Sequence, residues 1–393
     1  MERVINWSLG SNNVTAIERL PDGFVRSIVN LDAGDLLSLR TGFEKVLAGK
    51  NIRALFSIGN DLIIVDSDQL ICFDTLTGTS ETLTNVPENG TVAGTLFNEQ
   101  LYLIIANQSY RIKDRVVKQW IIANPKVNLS IGKGNLQGGR YKIAVTSNGE
   151  EGEESGADIY FMDVPDNSSI QINSNARGNV YATEQNSETL YYQGIADNSY
   201  HIVSITSDTK RLATGNMYPF PYATNLTNYH GVIIGSIDNY LYFSAPFMPH
   251  LIRAERGFLQ YPSPISIIAP VADGIYVVAD KTYFISNLEN DQINQIKVSD
   301  TDAIKGTYTP LPDGRAAWFC RYGQVVAGMS GEIATPNKGI YAPEVKQAGA
   351  AGYLEHNGRQ LIVNSLDKNS HADNNLAIGD YWEIEIDGEV CTC

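Results

Sequence analysis

The chain has 393 residues, 43% of them hydrophobic, and 44 acidic side chains against 29 basic ones leave a net charge of −15. That apolar content excludes a disordered tail, and the length admits one large all-β domain or two to three ordinary ones. A surface of this sign repels a phosphate backbone, which excludes a general nucleic-acid binder and leaves no basis for sequence recognition.

The opening MERVINWSLG lacks the basic-then-apolar order of a secretory signal, and no run of eighteen apolar residues follows anywhere, so a cytosolically made chain without membrane insertion is expected. Residues 1–50 hold few aromatics and no catalytic constellation, and are expected to form an extended arm. Within them GDLLSLRTGFEKVLAG is the only stretch with an arguable helical period, and its central Thr41-Gly42 opposes a helix.

From residue 51 onward the pattern changes. DLIIVDSDQLICFD, QLYLIIANQSYRI, GADIYFMDV, TLYYQGIADNSYHIVSI, NYLYFSAP, GIYVVADKTYFISN, AAWFCRYGQVVAG and RQLIVNSL alternate apolar and polar residues and end in Asn, Asp or Gly. Period-two alternation rich in Val, Ile and Tyr makes strands, and the 34 glycines supply turns with φ > 0. The runs recur at intervals of roughly 40 to 50 residues, the period of propeller blades. Leu62-Ile63 and Leu101-Tyr102 open two units, and Tyr191, Tyr242, Tyr276, Phe319 and Ile362 mark similar places later.

A lone strand pair cannot cover its apolar face, so the expected fold is an all-β β-propeller over residues 51–393, of about seven blades with six to eight allowed. Two β-sandwiches are the rival, but no mid-chain linker separates them. Closure is expected by pairing YWEIEID, near residue 384, with VINWSLG or with the strand after Ile52.

The acidic run NGEEGEESGADIYF, residues 148–161, invites a calcium loop or an acid pair. It lacks the D-x-[DN]-x-[DN]-G order and the closing bidentate Glu of a calcium loop. Adjacent, equally exposed glutamates have no reason to differ in pKa, as an acid–base pair must. The expectation is therefore the hydrated tip of a hairpin. Cys72 and Cys320 sit inside apolar runs as buried thiols, whereas Cys391 and Cys393 form a C-x-C pair with no second pair at metal spacing. The five histidines show no HExxH spacing, GMSGE misses the nucleophile-elbow spacing, and GKGNLQGGR lacks a P-loop ending. No catalytic, cofactor or metal residue is assigned.

Aromatic residues beside prolines suggest contact surface instead. Phe220 and Tyr222, with Tyr218, lie in MYPFPYATN, and Phe258 and Tyr261, with Phe247, lie around RGFLQYPSP. Prolines stiffen such segments, which suits a docked loop or a sugar-binding surface as well as core packing.

Four segments also resemble a known family. INWSLGSNNV with RLPDGFVRSIVNLDAGDLLSLRTGFEKVLAGKNIRALF, then GGRYKIAVTSNGEEGEESGA, then LYFSAPFMPHLIRAERGFLQYPSPISIIAPVADGIYVVADKTYFI, then RYGQVVAGMSGEI, are similar in order to virion proteins of tailed bacteriophages. The resemblance covers most of the chain, although the terminal VCTC is not part of it. It implies a propeller-bodied, non-enzymatic structural protein at the tail hub, nozzle or baseplate, made in the host cytoplasm and carried in the virion. Its implied partners are identical copies in a ring or symmetric tip complex and other tail proteins, with no cofactor. Within the family-like opening, Trp7, Arg26, Asn30, Asp32 and Arg40 are the implied assembly residues. The alternative is a receptor- or carbohydrate-binding propeller at the tail tip.

Overall fold

The computed structural model describes residues 9–29, 31–32, 38–39, 45–288, 293–343, 348–356, 358–366, 383–386 and 389–392. Among them the only helical element is a 3-10 turn at Ile17–Arg19, and everything else that is regular is strand. Two compact units divide the chain: Met1–Ala48 with Pro262–Cys393, and Gly49–Tyr261.

The N-terminal part of the first unit contains short strands β1 (Gly10–Ser11), β2 (Phe24–Val25), β3 (Ser27–Val29), β4 (Leu31–Asp32) and β5 (Ser38–Leu39). β1 pairs with β2 in parallel, and β4 with β5 antiparallel. Ser38–Leu39 is strand, in keeping with the helix-opposing Thr-Gly; the rest of residues 33–44 lies outside the described residues.

The second unit opens with two plain meanders. β6 (Ile52–Ile58), β7 (Asp61–Asp66), β8 (Gln69–Asp74) and β9 (Ser80–Asn85) pair in sequence order, as do β10 (Val92–Phe97), β11 (Gln100–Ile105), β12 (Gln108–Lys113) and β13 (Val116–Lys118). Local turn chemistry explains the order. Asn98 and Glu99, and then Asp114 and Arg115, take positive φ at both loop positions, the two-residue turn whose twist matches paired strands. Ile63, Val65, Leu70 and Cys72 of the first meander pack on Leu101, Leu103, Ile105 and Ile112 of the second. Arg115, in the β12–β13 turn, adds a clasp at the edge: it pairs with Asp61 at 2.7 Å, Asp74 at 2.9 Å and Glu81 at 3.3 Å.

The next stretch departs from this plan. β14 (Val127–Leu136), β15 (Gly139–Ser147), β16 (Tyr160–Val164), β17 (Ser168–Ser174), β18 (Gly178–Ala182), β19 (Tyr191–Ala196) and β20 (Ser199–Ile202) form two interleaved sheets, β14-β17-β20 and β16-β15-β18-β19. One core joins both: Leu136, Ile170, Ile172 and Ile202 from the first, Tyr141, Ile143, Val145 and Val180 from the second. The run TLYYQGIADNSYHIVSI was expected as one strand pair, but its halves are β19 and β20, in different sheets. A four-residue strand whose apolar Ile202 faces the β14–β17 core gains more there than by pairing with its neighbour in sequence.

The unit ends with β21 (Met217–Pro219), β22 (Asn225–Tyr229), β23 (Val232–Ile237), β24 (Tyr240–Ala245), β25 (Met248–Arg253) and β26 (Phe258–Gln260), where β22 to β25 again follow each other and β26 pairs with β24. Back in the first unit, β27 (Ile267–Val271), β28 (Gly274–Val278), β29 (Thr282–Ser286) and β30 (Asn294–Ser299) form a meander, and so do β31 (Thr309–Pro310), β32 (Ala316–Cys320), β33 (Gly323–Ala327) and β34 (Ile333–Ala334). Tyr276, Phe284, Trp318 and Val325 are among the residues that join them in one core. β35 (Gly349–His356) and β36 (Arg359–Leu366) make a long hairpin, and β37 (Glu383–Ile386) and β38 (Glu389–Thr392) complete a sheet with β3.

The fold is thus all-β and of the propeller type, its repeated unit a four-stranded antiparallel blade, with a number of blade-like sheets consistent with the expected six to eight. The expected strand at residue 384 exists, but its partner is β3, with Ile28 opposite Ile384, and not VINWSLG or the strand after Ile52. The strand after Ile52 is β6, committed to β7, while Gly10 pairs with Phe24.

Candidate functional site

The residues proposed for assembly fall into four groups. Trp7, Asn30 and Arg40 lie outside the described residues, and Asp32 is known only as part of β4. Arg26 is half-buried and donates from Nη1 to the Thr15 carbonyl at 2.9 Å, so it ties two points of its own segment together. Tyr222 and Phe258 are exposed, at 43% and 48%.

Phe220 and Tyr261 require correction: they are 1% and 2% exposed and belong to the interior. Phe220 packs beside Trp120, ring centroids 5.7 Å apart, in a cluster with Phe97, Tyr102 and Ile233. In MYPFPYATN the alternation turns Tyr218 and Tyr222 outward and Phe220 inward, so the flanking prolines set the direction of each ring and not the exposure of all three. Phe247, at 76% exposed with φ +57, projects from the β24–β25 turn, held by its own N–H on the Gly231 carbonyl at 3.0 Å.

The acidic connection between β15 and β16 is the most organised polar cluster in the second unit. The hairpin expected there exists, with Ile143 opposite Tyr160, and Glu150 and Glu151 are exposed as expected, but Glu153 and Glu154 are not part of a hydrated tip. Arg111, on β12 with its side chain only 7% exposed, donates from Nη1 to Glu153 Oε1 at 2.5 Å, and its Nη2 lies 3.0 Å from Glu151 Oε2 without the alignment of a hydrogen bond. Lys118, on β13, donates to Glu151 at 3.1 Å. Glu154, its side chain 9% exposed, accepts from Tyr181 at 2.8 Å, from Asn179 at 2.6 Å and from Lys210 at 2.6 Å.

His250, on β25 and 7% exposed, places Nε2 2.9 Å from the Glu154 carbonyl. Backbone geometry fits the same picture: Gly152, at φ +88, closes a turn onto the Gly149 carbonyl, and any side chain at Gly156 would overlap the Met217 carbonyl.

Environment separates these groups, contrary to the expectation of equivalent glutamates. Burial acts to raise the Glu153 pKa, yet the Arg111 hydrogen bond and charge outweigh it, and Glu153 lies below the usual carboxylate value. Burial pushes the His250 pKa down and outweighs the Glu154 carbonyl and the Glu153 charge, which favour the imidazolium; Arg111 adds a smaller push downward. Burial, with Glu154 alongside, pushes the Tyr181 phenol up.

The sequence signal for this cluster lay outside the acidic run. An arginine in SYRIK, flanked by Tyr110 and Ile112 in an apolar strand, and a histidine in MPHLIR are costly to bury without a partner. Each required one, but spacing could not say which.

Elsewhere the chemistry is quiet. The Cys72 thiol is pushed up to about 11 by burial and by Asp61, which keeps it un-ionised. A surface cleft of about 530 Å³ is lined by Gly139, Arg140, Asp163, Val164, Pro165 and Asn186, and its Arg140 and Asp163 satisfy each other through two bonds of 2.9 Å. Among the described residues no group of three or more His, Cys, Asp or Glu side chains has a metal-holding arrangement.

No family model matches the chain, and no curated protein matches it. Solved structures do. The extracellular domain of a hybrid two-component system from B. thetaiotaomicron is similar at 8% identity and TM-score 0.30, over 90% of this chain and 40% of that one. AztD from Citrobacter koseri is similar at 11% identity and TM-score 0.34, over 82% and 77%. Dipeptidyl peptidase 4 from Porphyromonas gingivalis is similar at 12% identity and TM-score 0.28, over 89% and 50%. The chain thus spans half or less of the first and third of these. Likeness at this level carries no argument about activity, and none of the three is a tail protein.

Proposed function

We propose that the chain is a non-enzymatic structural component of a bacteriophage tail, at a hub, nozzle or baseplate, where it scaffolds neighbouring tail proteins. The observation that carries this reading is the ordered set of family-like segments along the chain. Two features agree with a docking role. The acidic connection is fixed by ion pairs and presents a firm surface at neutral pH, and two exposed aromatics sit on held backbone, Phe258 in paired β26 and Phe247 in the β24–β25 turn tied to the Gly231 carbonyl. Copies of the chain arranged with closed symmetry multiply modest contacts, so identical subunits and adjoining tail proteins are the partners.

The test is incorporation. Removing residues 1–8 leaves every described strand in place and is expected to give a folded chain that no longer enters particles. Normal incorporation of the truncated chain, or its absence from purified virions altogether, overturns the reading.

A second reading, a receptor- or carbohydrate-binding role at the tail tip, is favoured by Tyr218 and Tyr222, exposed at 42% and 43% on either side of buried Phe220. Binding to a glycan array that Tyr222→Ala abolishes supports it, and a flat response removes it.

A further inference from the structure

Between Asn148 and Gly156 the chain contains no apolar side chain, so hydrophobic burial holds this connection only at its far end, where Ala157 is 0% exposed beside Ala144, Tyr181 and Leu190 and its N–H bonds the Thr214 carbonyl at 3.2 Å. Its own backbone bonds are few: Gly149 N–H to the Glu153 carbonyl at 2.7 Å, Gly152 N–H to the Gly149 carbonyl at 3.2 Å, and Ser155 N–H to the Ser147 carbonyl at 2.9 Å. The remaining attachments are charged or polar. They run from Glu151 and Glu153 to Arg111, from Glu151 to Lys118, from Glu154 to Lys210, Tyr181 and Asn179, and from the Glu154 carbonyl to His250. Yet the segment is packed closely enough that Ser155 is 0% exposed. A segment buried at one end and held almost wholly by charge is secured only while those charges persist.

We propose that residues 148–155 form an acid-releasable latch, with Glu153 and Arg111 as its clasp and His250 as the group whose protonation opens it. The groups facing His250 and the clasp are Tyr102 on β11, Arg111 on β12, Lys118 on β13, Tyr181 on β18, Lys210 before β21, and Glu151, Glu153 and Glu154 on the latch itself. Of these, arginine, lysine and tyrosine keep their charge state between neutral and mildly acidic pH, which leaves His250 and the carboxylates to respond.

When Nε2 donates to the Glu154 carbonyl, Nδ1 is the nitrogen that takes the acid proton. The resulting imidazolium is buried, and that cost outweighs its bond to the Glu154 carbonyl and the attraction of Glu153, with a smaller repulsion from Arg111 added to it. Both shifts have the same sign in linkage. His250 titrates below its ordinary 6.5, so its contribution is complete above that value and is lost as pH falls through the folded pKa. Glu153 titrates below its ordinary 4.5, so its contribution is complete above that value and is lost at still lower pH. Acid therefore loosens the latch in two steps, His250 first. Release uncovers Arg111 and leaves Lys118 and Lys210 without their carboxylates, which turns an anionic surface into a cationic one.

Hydrogen exchange on the full chain tests this, with rates at Gly149, Gly152 and Ser155 corrected for the intrinsic effect of pH. Protection at these amides is expected to fall about tenfold or more from about pH 7.5 to about pH 5, while Leu101 to Ile105 change little. His250→Gln keeps a donor for the Glu154 carbonyl and cannot titrate, so its protection is expected to stay flat over the same range. Glu153→Gln is expected to lower protection already at neutral pH, which keeps the test open should the His250 variant fail to fold. Equal wild-type protection at both pH values overturns the proposal. So does an unchanged pH step in His250→Gln, or a Glu153→Gln chain as protected as the wild type.

Discussion

Two neighbouring stretches of the second unit use the same strand chemistry and reach different topologies. In β6 to β9, and again in β10 to β13, each strand pairs with the next, so tight turns such as Asn98-Glu99 and Asp114-Arg115 decide the partner before any distant residue takes part. In β14 to β20 only β15–β16 and β18–β19 are neighbours in sequence; β14–β17, β15–β18 and β17–β20 pair across intervening strands, and the shared core of Ile143, Val145, Ile170, Ile172 and Val180 selects them. Alternation of apolar and polar residues specifies that a segment is a strand and which face is apolar. It does not specify which strand lies alongside, and where turns are long that choice passes to tertiary packing.

The sharpest way to break this contrast is at Gly178. A Cβ there would overlap the Thr146 carbonyl oxygen on the paired strand β15, an atom that cannot move without losing the ladder. Gly178→Ala is expected to destabilise the chain by about 3 kcal/mol or more, measured by urea denaturation. Next come two buried aliphatics, both 0% exposed: Ile172 in the interleaved sheets and Leu103 in a meander. Alanine at either costs about 2–5 kcal/mol. The pattern of damage separates them: Ile172→Ala is expected to raise hydrogen exchange in both interleaved sheets together, whereas Leu103→Ala raises it across β6 to β12. A uniform response to both would erase the distinction drawn between the two stretches.

The same contrast explains what was legible in the sequence. Leu62-Ile63, Leu101-Tyr102, Tyr276 and Phe319 were read as recurring marks, and each lies on the second strand of a sequential meander. Tyr191 was read in the same way, but it begins the last strand of an interleaved sheet, where position in the sequence no longer tracks position in the sheet. The candidate site was legible in composition and not in contacts. The glutamates of residues 150–154 stood out, while Arg111 and His250, which give them their roles, lie on strands about 40 and 100 residues away. Phe220 was misjudged because prolines on both sides suggested a surface loop, when the backbone they stiffen points that ring at Trp120.

A smaller effect probes how a meander begins. Asp66, at the end of β7 and only 8% exposed, accepts backbone N–H bonds from Lys50 at 2.9 Å and Asn51 at 2.6 Å, just before β6. Those bonds hold its pKa below the ordinary 3.8, so the stability they confer is complete above that value and is lost as pH falls through the folded pKa. Asp66→Asn is therefore expected to lower the urea midpoint at neutral pH, with the gap to the wild type narrowing as pH falls below the ordinary 3.8. A gap that persists in acid would mean that shape, not charge, fixes the entry to β6.

The smallest effect completes the comparison between glycines. Gly59, in the turn from β6 to β7, has φ +57, and a Cβ built there meets nothing within 4 Å. Its requirement is conformational, so Gly59→Ala is expected to cost about 1 kcal/mol, and Gly59→Asn less, because asparagine tolerates the left-handed region. Gly178 has ordinary backbone and no room, so asparagine there should be at least as harmful as alanine. The two Asn variants thus separate a turn that dictates its own topology from a strand whose place is dictated by its neighbour. Equal losses in Gly59→Asn and Gly178→Asn urea midpoints would show that close backbone approach, and not turn conformation, governs both stretches.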